Sequence, residues 1–391
     1  MEHTVSPEIL GASLRWQERS TIHQDLLMPE RLMHAKKAYT TRFLAQRLAN
    51  SREGFFLSDT DVAPDSGDVV LAKVVRIGQH PKLESPASRR QALYIDDEIL
   101  VAYGNRYAPD QFLAKVPPAL DPCQLIAAGG VAGQVIAQHA SMRAATEIAP
   151  IGLLADDSGI LNLNRLAPHQ LDTKLFDASS RMLPRRRPHV LAVLGTSMNS
   201  GKTTVMSCLI KGLSAAGLVV SAGKVTGTGS GNDPGMFGDA GAVKVLDFTD
   251  FGVPTTFQLD HRRVQALFTG MVGALTDSRT DVIVLEVADG VYQSETRLLL
   301  ADPAFQTVVD RVIFAAVDAL GAAAGLQLLR AAELRVAAVS GVLTSSPLAV
   351  HEASAALDVP VLGTFSLCTP SAAVGLLPRG GEEPTAASTG S

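Results

Sequence analysis

Residues 190–213 read VLAVLGTSMNSGKTTVMSCLIKGL. An apolar run ends at Gly195, small polar residues follow, and helical spacing begins near Lys202. Gly195 to Thr203 fits G-x-x-x-x-G-K-[ST], with a strand pattern before it and a helix pattern after it, the context in which that motif has a mechanism. Its glycines permit tight turns and let backbone N–H groups face an anion, and the helix start adds its positive end. On this reading Gly195, Thr196, Asn199, Ser200, Gly201, Lys202, Thr203 and Thr204 cradle a polyphosphate. Lys202 reaches the outer phosphates, and the Thr203 hydroxyl ligates Mg²⁺.

Outward from this loop, residues 189–365 are rhythmic. The runs HVLAVLG, LVVSAGKV, PTTFQL, DVIVLEVA, RVIFAAVD, RVAAVSGVL and PVLGTF alternate with helical patterns such as TTVMSCLIKGLSAAG and GAAAGLQLLRAAE. Near-continuous apolar strands are buried on both faces, and their alternation with helices predicts an α/β fold with a doubly wound, mostly parallel P-loop sheet. Ligands of such sheets sit at the carboxyl ends of strands. There, VIVLEVADG places Glu286 and then Asp289. A buried unpaired Glu is costly, so a role in holding Mg²⁺ fits it better. AGKVTGTGSGND places Lys224 where an ammonium holds a phosphoryl group or a substrate carboxylate. Lys202, Lys224 and Glu286 are the candidate catalytic residues. The Gly-rich stretch 227–241 reads as a mobile cover. Of its neighbouring acids Asp233, Asp239 and Asp247, Asp233 joins Thr203 and Glu286 in the candidate metal set.

Upstream the pattern changes. MPERLMHAKKAYTTRFLAQRLAN (28–50) puts Leu32, Ala35, Ala38, Tyr39, Phe43 and Leu44 on one helical face, with Lys36, Lys37 and Arg42 on the solvated side. GDVVLAKVVRIG and RQALYIDDEILVAYG carry period-two strand signals. CQLIAAGGVAGQVIAQHA (123–140) reads as strand, Gly turn and short helix. APIGLLADDSGILNLNRLAP reads as two strands across a turn. Gly129, Gly130 and Gly133 serve either a ligand or close packing. The loop YGNRYAPDQF (103–112) gathers Asn105, Arg106, Tyr107 and Asp110, either to face a substrate or as a surface turn. Arg185, Arg186 and Arg187 lie in a linker, with a clamp over phosphates as the alternative. The boundaries that follow are a helical segment (1–54), a smaller β-rich domain (55–165), a linker (166–188), the P-loop domain (189–370) and a tail (371–391) whose composition reads as disordered.

The chain has 391 residues and a net charge of −5, which does not favour nucleic acid as a partner. With 46% hydrophobic and 19% charged residues it can bury large cores. Cys123, Cys208 and Cys368 are widely spaced, which predicts reduced thiols rather than a disulfide framework or a zinc site. The N-terminal stretch lacks an apolar h-region, and no apolar run is long enough to span a membrane, so a cytoplasmic protein is expected.

In order along the chain, GTSMNSGKTT, the lysine of GKVTGTG, the acidic strand end LEVADG, RVIFAAVDALGAAAGLQLLRAAELRVAAVSGVLTSS and VPVLGTF resemble the dethiobiotin synthetase and cobyrinic acid synthase group of P-loop proteins. The resemblance covers residues 189–365. It implies an ATP- and Mg²⁺-dependent enzyme that phosphorylates a carboxylate or carbamate for attack by an amine. It also implies Lys202 and Lys224 on phosphoryl oxygens, Thr203 and Glu286 on Mg²⁺, and a homodimer. GVLTSSP lacks the Asn that reads adenine in that group, which leaves the choice of base open. A second resemblance, from the β-rich stretch ahead of a GKT loop, is to a P-loop-fold family that includes a D-glutamate N-acetyltransferase. It implies that the cradle takes the phosphates of coenzyme A. Three functions follow: an ATP-dependent ligase or kinase-like enzyme on a small carboxylate-bearing metabolite, an assembly NTPase acting on a protein partner, and an acetyl-CoA-dependent N-acyltransferase.

Overall fold

The computed structural model describes residues 29–50, 54–59, 61–172 and 187–378. They fall into two compact units, Met1–Arg106 with Asp110–Ala167, and Tyr107–Pro109 with Pro168–Ser391.

The first unit is built on β1 (Val69–Arg76), β2 (Glu98–Tyr103), β3 (Phe112–Lys115), β4 (Cys123–Ala127), β5 (Val131–Gln138) and β6 (Thr146–Asp156). Hydrogen-bonded neighbours run β2–β1–β6–β4–β5, and β5 pairs back onto β2 through Val131–Ala102 and Ala132–Tyr103. The ring closes, so its five strands share out their edges. Period-two alternation fills it: Val70, Ala72, Val74, Ile99, Val101, Tyr103, Leu125 and Ile148 form one core. The opposite-facing Val69, Leu71, Leu100 and Ala102 pack with Leu32, Ala35 and Leu44.

Two local expectations change here, and one left open is settled. Residues 29–50 are not one helix: Pro29–His34 and Arg42–Asn50 flank a short strand, Lys36–Lys37, parallel to β2. The apolar face survives, but Lys36 pairs with Asp97 and Lys37 donates to the Met33 carbonyl, so neither is simply solvated. Residues 131–138 form a strand, not a helix, because β4 and β3 offer ladders on both sides. The Gly129–Gly130 turn is a packing device. Gly130 has φ +96°, a Cβ there would lie 2.0 Å from the Ala38 Cβ, and Thr40 donates to both glycine carbonyls. In the 103–112 loop, Arg106 is buried, donates to Gln111 and sits beside His80, whose pKa burial and then that guanidinium push down to about 4.

The second unit is a six-stranded, wholly parallel sheet: β7 (His189–Gly195), β8 (Val220–Lys224), β9 (Lys244–Asp247), β10 (Val282–Glu286), β11 (Arg311–Ala315) and β12 (Val336–Ser340), in the order β9–β8–β10–β7–β11–β12. Ala192 and Leu194 of β7 join one core, while Leu191 and Val193 join the other. Helices cover both faces: α1 (Lys202–Ala215) and α2 (Asn232–Asp239) contribute to the second core, α3 (His261–Leu275) and α4 (Ala319–Ala331) to the first. Both-face burial is why the strands read as apolar runs. On α1, Gly212 lies against the Thr364–Cys368 turn, where a Cβ would stand 2.1 Å from the Leu367 carbonyl oxygen.

Two expected strands are missing from the sheet. PTTFQL makes only an isolated bridge, Thr228–Thr255, and PVLGTF only Val339–Val361. The outer strand β9 is short and begins with an exposed lysine, so its signal is weak. The stretch expected to be a mobile cover contains α2. Arg185 and Arg186 lie outside the described residues. Arg187 pairs with Asp310 and donates to the Val308 carbonyl at the amino end of β11, opposite the Gly195 end, which removes it from a phosphate clamp. Of the tail, residues 379–391 lie outside the described residues. Among the described residues no helix is long and apolar enough to cross a membrane.

Candidate phosphate-binding site

At the carboxyl end of β7 the chain cannot continue straight. A Cβ on Gly195 would lie 2.2 Å from the Ser200 Oγ and 3.0 Å from the Ala315 carbonyl oxygen, so only glycine lets the loop fold back over the strand end. Gly201 has φ +92° and caps α1 without a side chain. The first N–H groups of α1 thus lack intrahelical partners and carry the positive end of the helix dipole.

Neighbouring strand ends press on this loop. Gly290, just beyond β10, is so close that a Cβ would lie 2.5 Å from the Thr196 carbonyl oxygen. Gly341, just beyond β12, has φ +98° and would place a Cβ 2.4 Å from the Ser200 carbonyl oxygen, which accepts from the Val342 amide at 3.0 Å. The Thr196 amide donates to the Ala315 carbonyl. Neither Gly290 nor Gly341 was among the residues expected to shape the site. Their signal is a glycine straight after an apolar strand, at VADG and VSGV.

Lys202 is 3% exposed and donates from Nζ to the Ser197 carbonyl at 2.6 Å. Burial lowers its pKa to about 8, against the opposing pull of Glu286 and Asp289. Beside it, β10 and β8 run in register, pairing Lys224 with Glu286. Lys224 Nζ lies 3.3 Å from Glu286 Oε1 and also pairs with Asp233 of α2. Burial alone would lower the Lys224 pKa, but Glu286 and Asp233 outweigh it and raise it above the ordinary lysine range. Glu286 is 2% exposed, and its Oε2 has no partner. Thr196 Oγ1 and Ser200 Oγ are likewise sequestered and without a partner.

Thus Lys224, Glu286 and Asp233 form one ionic network, and Lys202, held by the loop's Ser197 carbonyl, feels their charges. Thr203 and Thr204 sit in the first turn of α1, half-buried and exposed, and Asn199 is exposed on the loop. Asp289 holds a left-handed φ of +64°. Asp239 is exposed at the end of α2. Asp247 is buried and caps the Phe248–Phe251 turn, accepting from the Thr249 amide, so its carboxylate is committed to backbone. Among the described residues no cluster of three or more His, Cys, Asp or Glu is arranged to hold a metal.

No protein-family model and no curated protein matches the chain. Among solved structures it is similar to the signal recognition particle receptor FtsY from Elizabethkingia anophelis, at 19% identity and a TM-score of 0.33 over 47% of this chain. A second structure of that receptor, in complex with GDP, gives 18% identity and a TM-score of 0.33 over 51%. The chain spans 60% and 61% of the length of these two structures. A likeness so slight assigns neither fold nor activity. The resemblance to dethiobiotin synthetases therefore rests on the motifs alone.

Proposed function

We propose that this chain is a P-loop enzyme that uses ATP and Mg²⁺ to phosphorylate or ligate a small carboxylate-bearing metabolite. The observation that carries this reading is three sequestered oxygens without partners, Thr196 Oγ1, Ser200 Oγ and Glu286 Oε2, at one glycine loop with a buried ammonium. Each unsatisfied group costs about 1–3 kcal/mol, a cost that a bound polyphosphate and its cation would remove.

Each residue's part follows from its place. The loop N–H groups and the start of α1 hold phosphoryl oxygens. Lys202 exchanges the Ser197 carbonyl for a phosphate oxygen, and Lys224 orients a second oxyanion at the end of β8. Mg²⁺, when bound, neutralises phosphoryl charge and fixes its orientation. Thr203 and Glu286 would hold it, as a cation bound through one carboxylate, a hydroxyl, water and phosphate. Preorganised positive groups at a water-poor strand end are what phosphoryl transfer requires.

The test is calorimetric titration of the protein with ATP, GTP and coenzyme A, each with and without Mg²⁺. ATP should bind in a Mg²⁺-dependent way. Lys202→Ala should bind at least about 100-fold more weakly with an unchanged circular dichroism spectrum, since an ammonium–phosphate contact is lost. Wild-type affinity in Lys202→Ala would sink the reading. Competition by coenzyme A would favour the acyltransferase, and turnover stimulated only by a protein would favour the assembly NTPase.

A further inference from the structure

Both ammonium groups of the site are occupied by the chain's own oxygens. Lys202 is folded onto the Ser197 carbonyl, and Lys224 lies between Asp233 and Glu286. The two carboxylates differ in how they are held. Glu286 is fixed at the end of a central strand and buried. Asp233 is partly buried, its side chain 18% exposed, on α2, a helix of 8 residues reading NDPGMFGD. A Cβ added to either of its two glycines, Gly235 and Gly238, would meet nothing within 4 Å, and its N-cap Gly231 makes no side-chain cap. Glycine in a helix interior weakens it. Phe237 and Ala240 are the apolar anchors of this segment, and Asp233 is its ionic tether. Upstream the chain is pinned, because Gly229 donates to the Pro254 carbonyl and Thr256 to the Gly227 carbonyl. Downstream it turns at Gly241, with φ +110°. These two points bracket residues 230–241.

We propose that Asp233 is an internal stand-in for a ligand oxyanion at Lys224, and that residues 230–241 are a latch which opens when that oxyanion arrives. The proposal rests on the nucleotide reading above. When Asp233 leaves, Glu286 remains beside Lys224, 3.3 Å from its Nζ. The arriving oxyanion takes the seat that Asp233 leaves, because with Glu286 already on Lys224 a third anion at one ammonium is opposed by like-charge repulsion. The latch therefore couples ligand arrival to exposure of the α2 face.

Hydrogen exchange of the amides of residues 230–241, measured with Mg²⁺-free ATP or ADP, tests this together with the affinity of Asp233→Asn. ATP should speed exchange of this segment about tenfold in the wild type. Asp233→Asn should show fast exchange without ligand and bind Mg²⁺-free ATP about tenfold more tightly, while Asp233→Glu should stay near wild type. Release by ATP alone, or by ATP and ADP alike, supports the latch and differs only in which phosphoryl takes Lys224. Fast exchange in Asp233→Asn without tighter binding reduces Asp233 to a helix tether and overturns the proposal. Weaker binding, confined to Mg²⁺-loaded ATP, makes Asp233 a metal ligand and overturns it too. If neither nucleotide binds the wild type with or without Mg²⁺, the nucleotide reading falls with the latch, whereas binding only with Mg²⁺ overturns the latch alone. Binding with an unchanged segment in both proteins sinks the latch alone.

Discussion

The Gly129–Gly130 turn and the Gly195–Gly201 loop look alike in sequence: glycines after an apolar strand, small residues, then another apolar run. In the first, the glycine carbonyls accept from Thr40, and the missing Cβ of Gly130 makes room for Ala38. The turn is closed on itself, and a second strand follows. In the second, the missing Cβ of Gly195 makes room for the loop's own Ser200, and a helix start, a buried ammonium and partnerless oxygens follow. Glycine spacing alone does not separate the two. The element after the turn does, since a hairpin satisfies its backbone groups locally and a helix start leaves donors facing outward.

Substitution should split the pair most sharply. Gly195→Ala forces a methyl into Ser200 Oγ and the Ala315 carbonyl. Calorimetry should show ATP affinity reduced about 1,000-fold, while thermal unfolding shifts less, because the distortion falls on the phosphate contacts. Gly130→Ala should do the reverse. It combines a left-handed φ with a 2.0 Å clash, so denaturant titration should show a loss of about 3 kcal/mol or more with no specific effect on phosphate affinity. Equal effects from both variants in both assays would erase the distinction drawn here.

Two weaker perturbations sharpen the description of the second loop. Glu286→Gln removes the carboxylate paired with Lys224, and the Mg²⁺ concentration needed for half-maximal ATP binding should rise about 30-fold, as expected when one anionic ligand is lost. An unchanged Mg²⁺ titration would exclude Glu286. The smallest effect is with pH. Lys202 has its pKa lowered to about 8 by burial. If its ammonium meets the phosphate as proposed, affinity should fall about tenfold per unit as pH rises above about 8. Stability moves the other way. Between about 8 and the ordinary lysine value of 10.5 the unfolded chain binds the proton that the folded one has lost, so the ligand-free fold gains stability as pH rises. A pH-independent affinity from 7 to 9.5 would show that Lys202 does not meet the phosphate.

Much of the second unit was legible because both-face burial writes strands as unbroken apolar runs: HVLAVLG, DVIVLEVA and RVIFAAVD lie side by side in the sheet. Lateral order was not legible, as nothing local states that β10 separates β7 from β8. PTTFQL and PVLGTF misled because a few β-formers beside a Pro mimic a strand, although no ladder is offered to them. In the first unit VAGQVIAQ was read with helical spacing, and tertiary pairing overrode that. At the site, the residue types were readable one at a time. That Lys224 would sit between Glu286 and Asp233 was not, because the contact joins two strands and a helix 9 and 62 positions along the chain.

Gly212 carries one more consequence. Leu367, Ala373 and Leu376 share a core with Val205, Leu209 and Leu213 of α1, and Gly212 is the notch into which their segment settles. A truncation ending before Thr364 would strip the outer side of the very helix whose first turn forms the proposed phosphate cradle. Such a shortened chain would keep every cradle residue and still bind poorly, with its bared leucines prone to self-association.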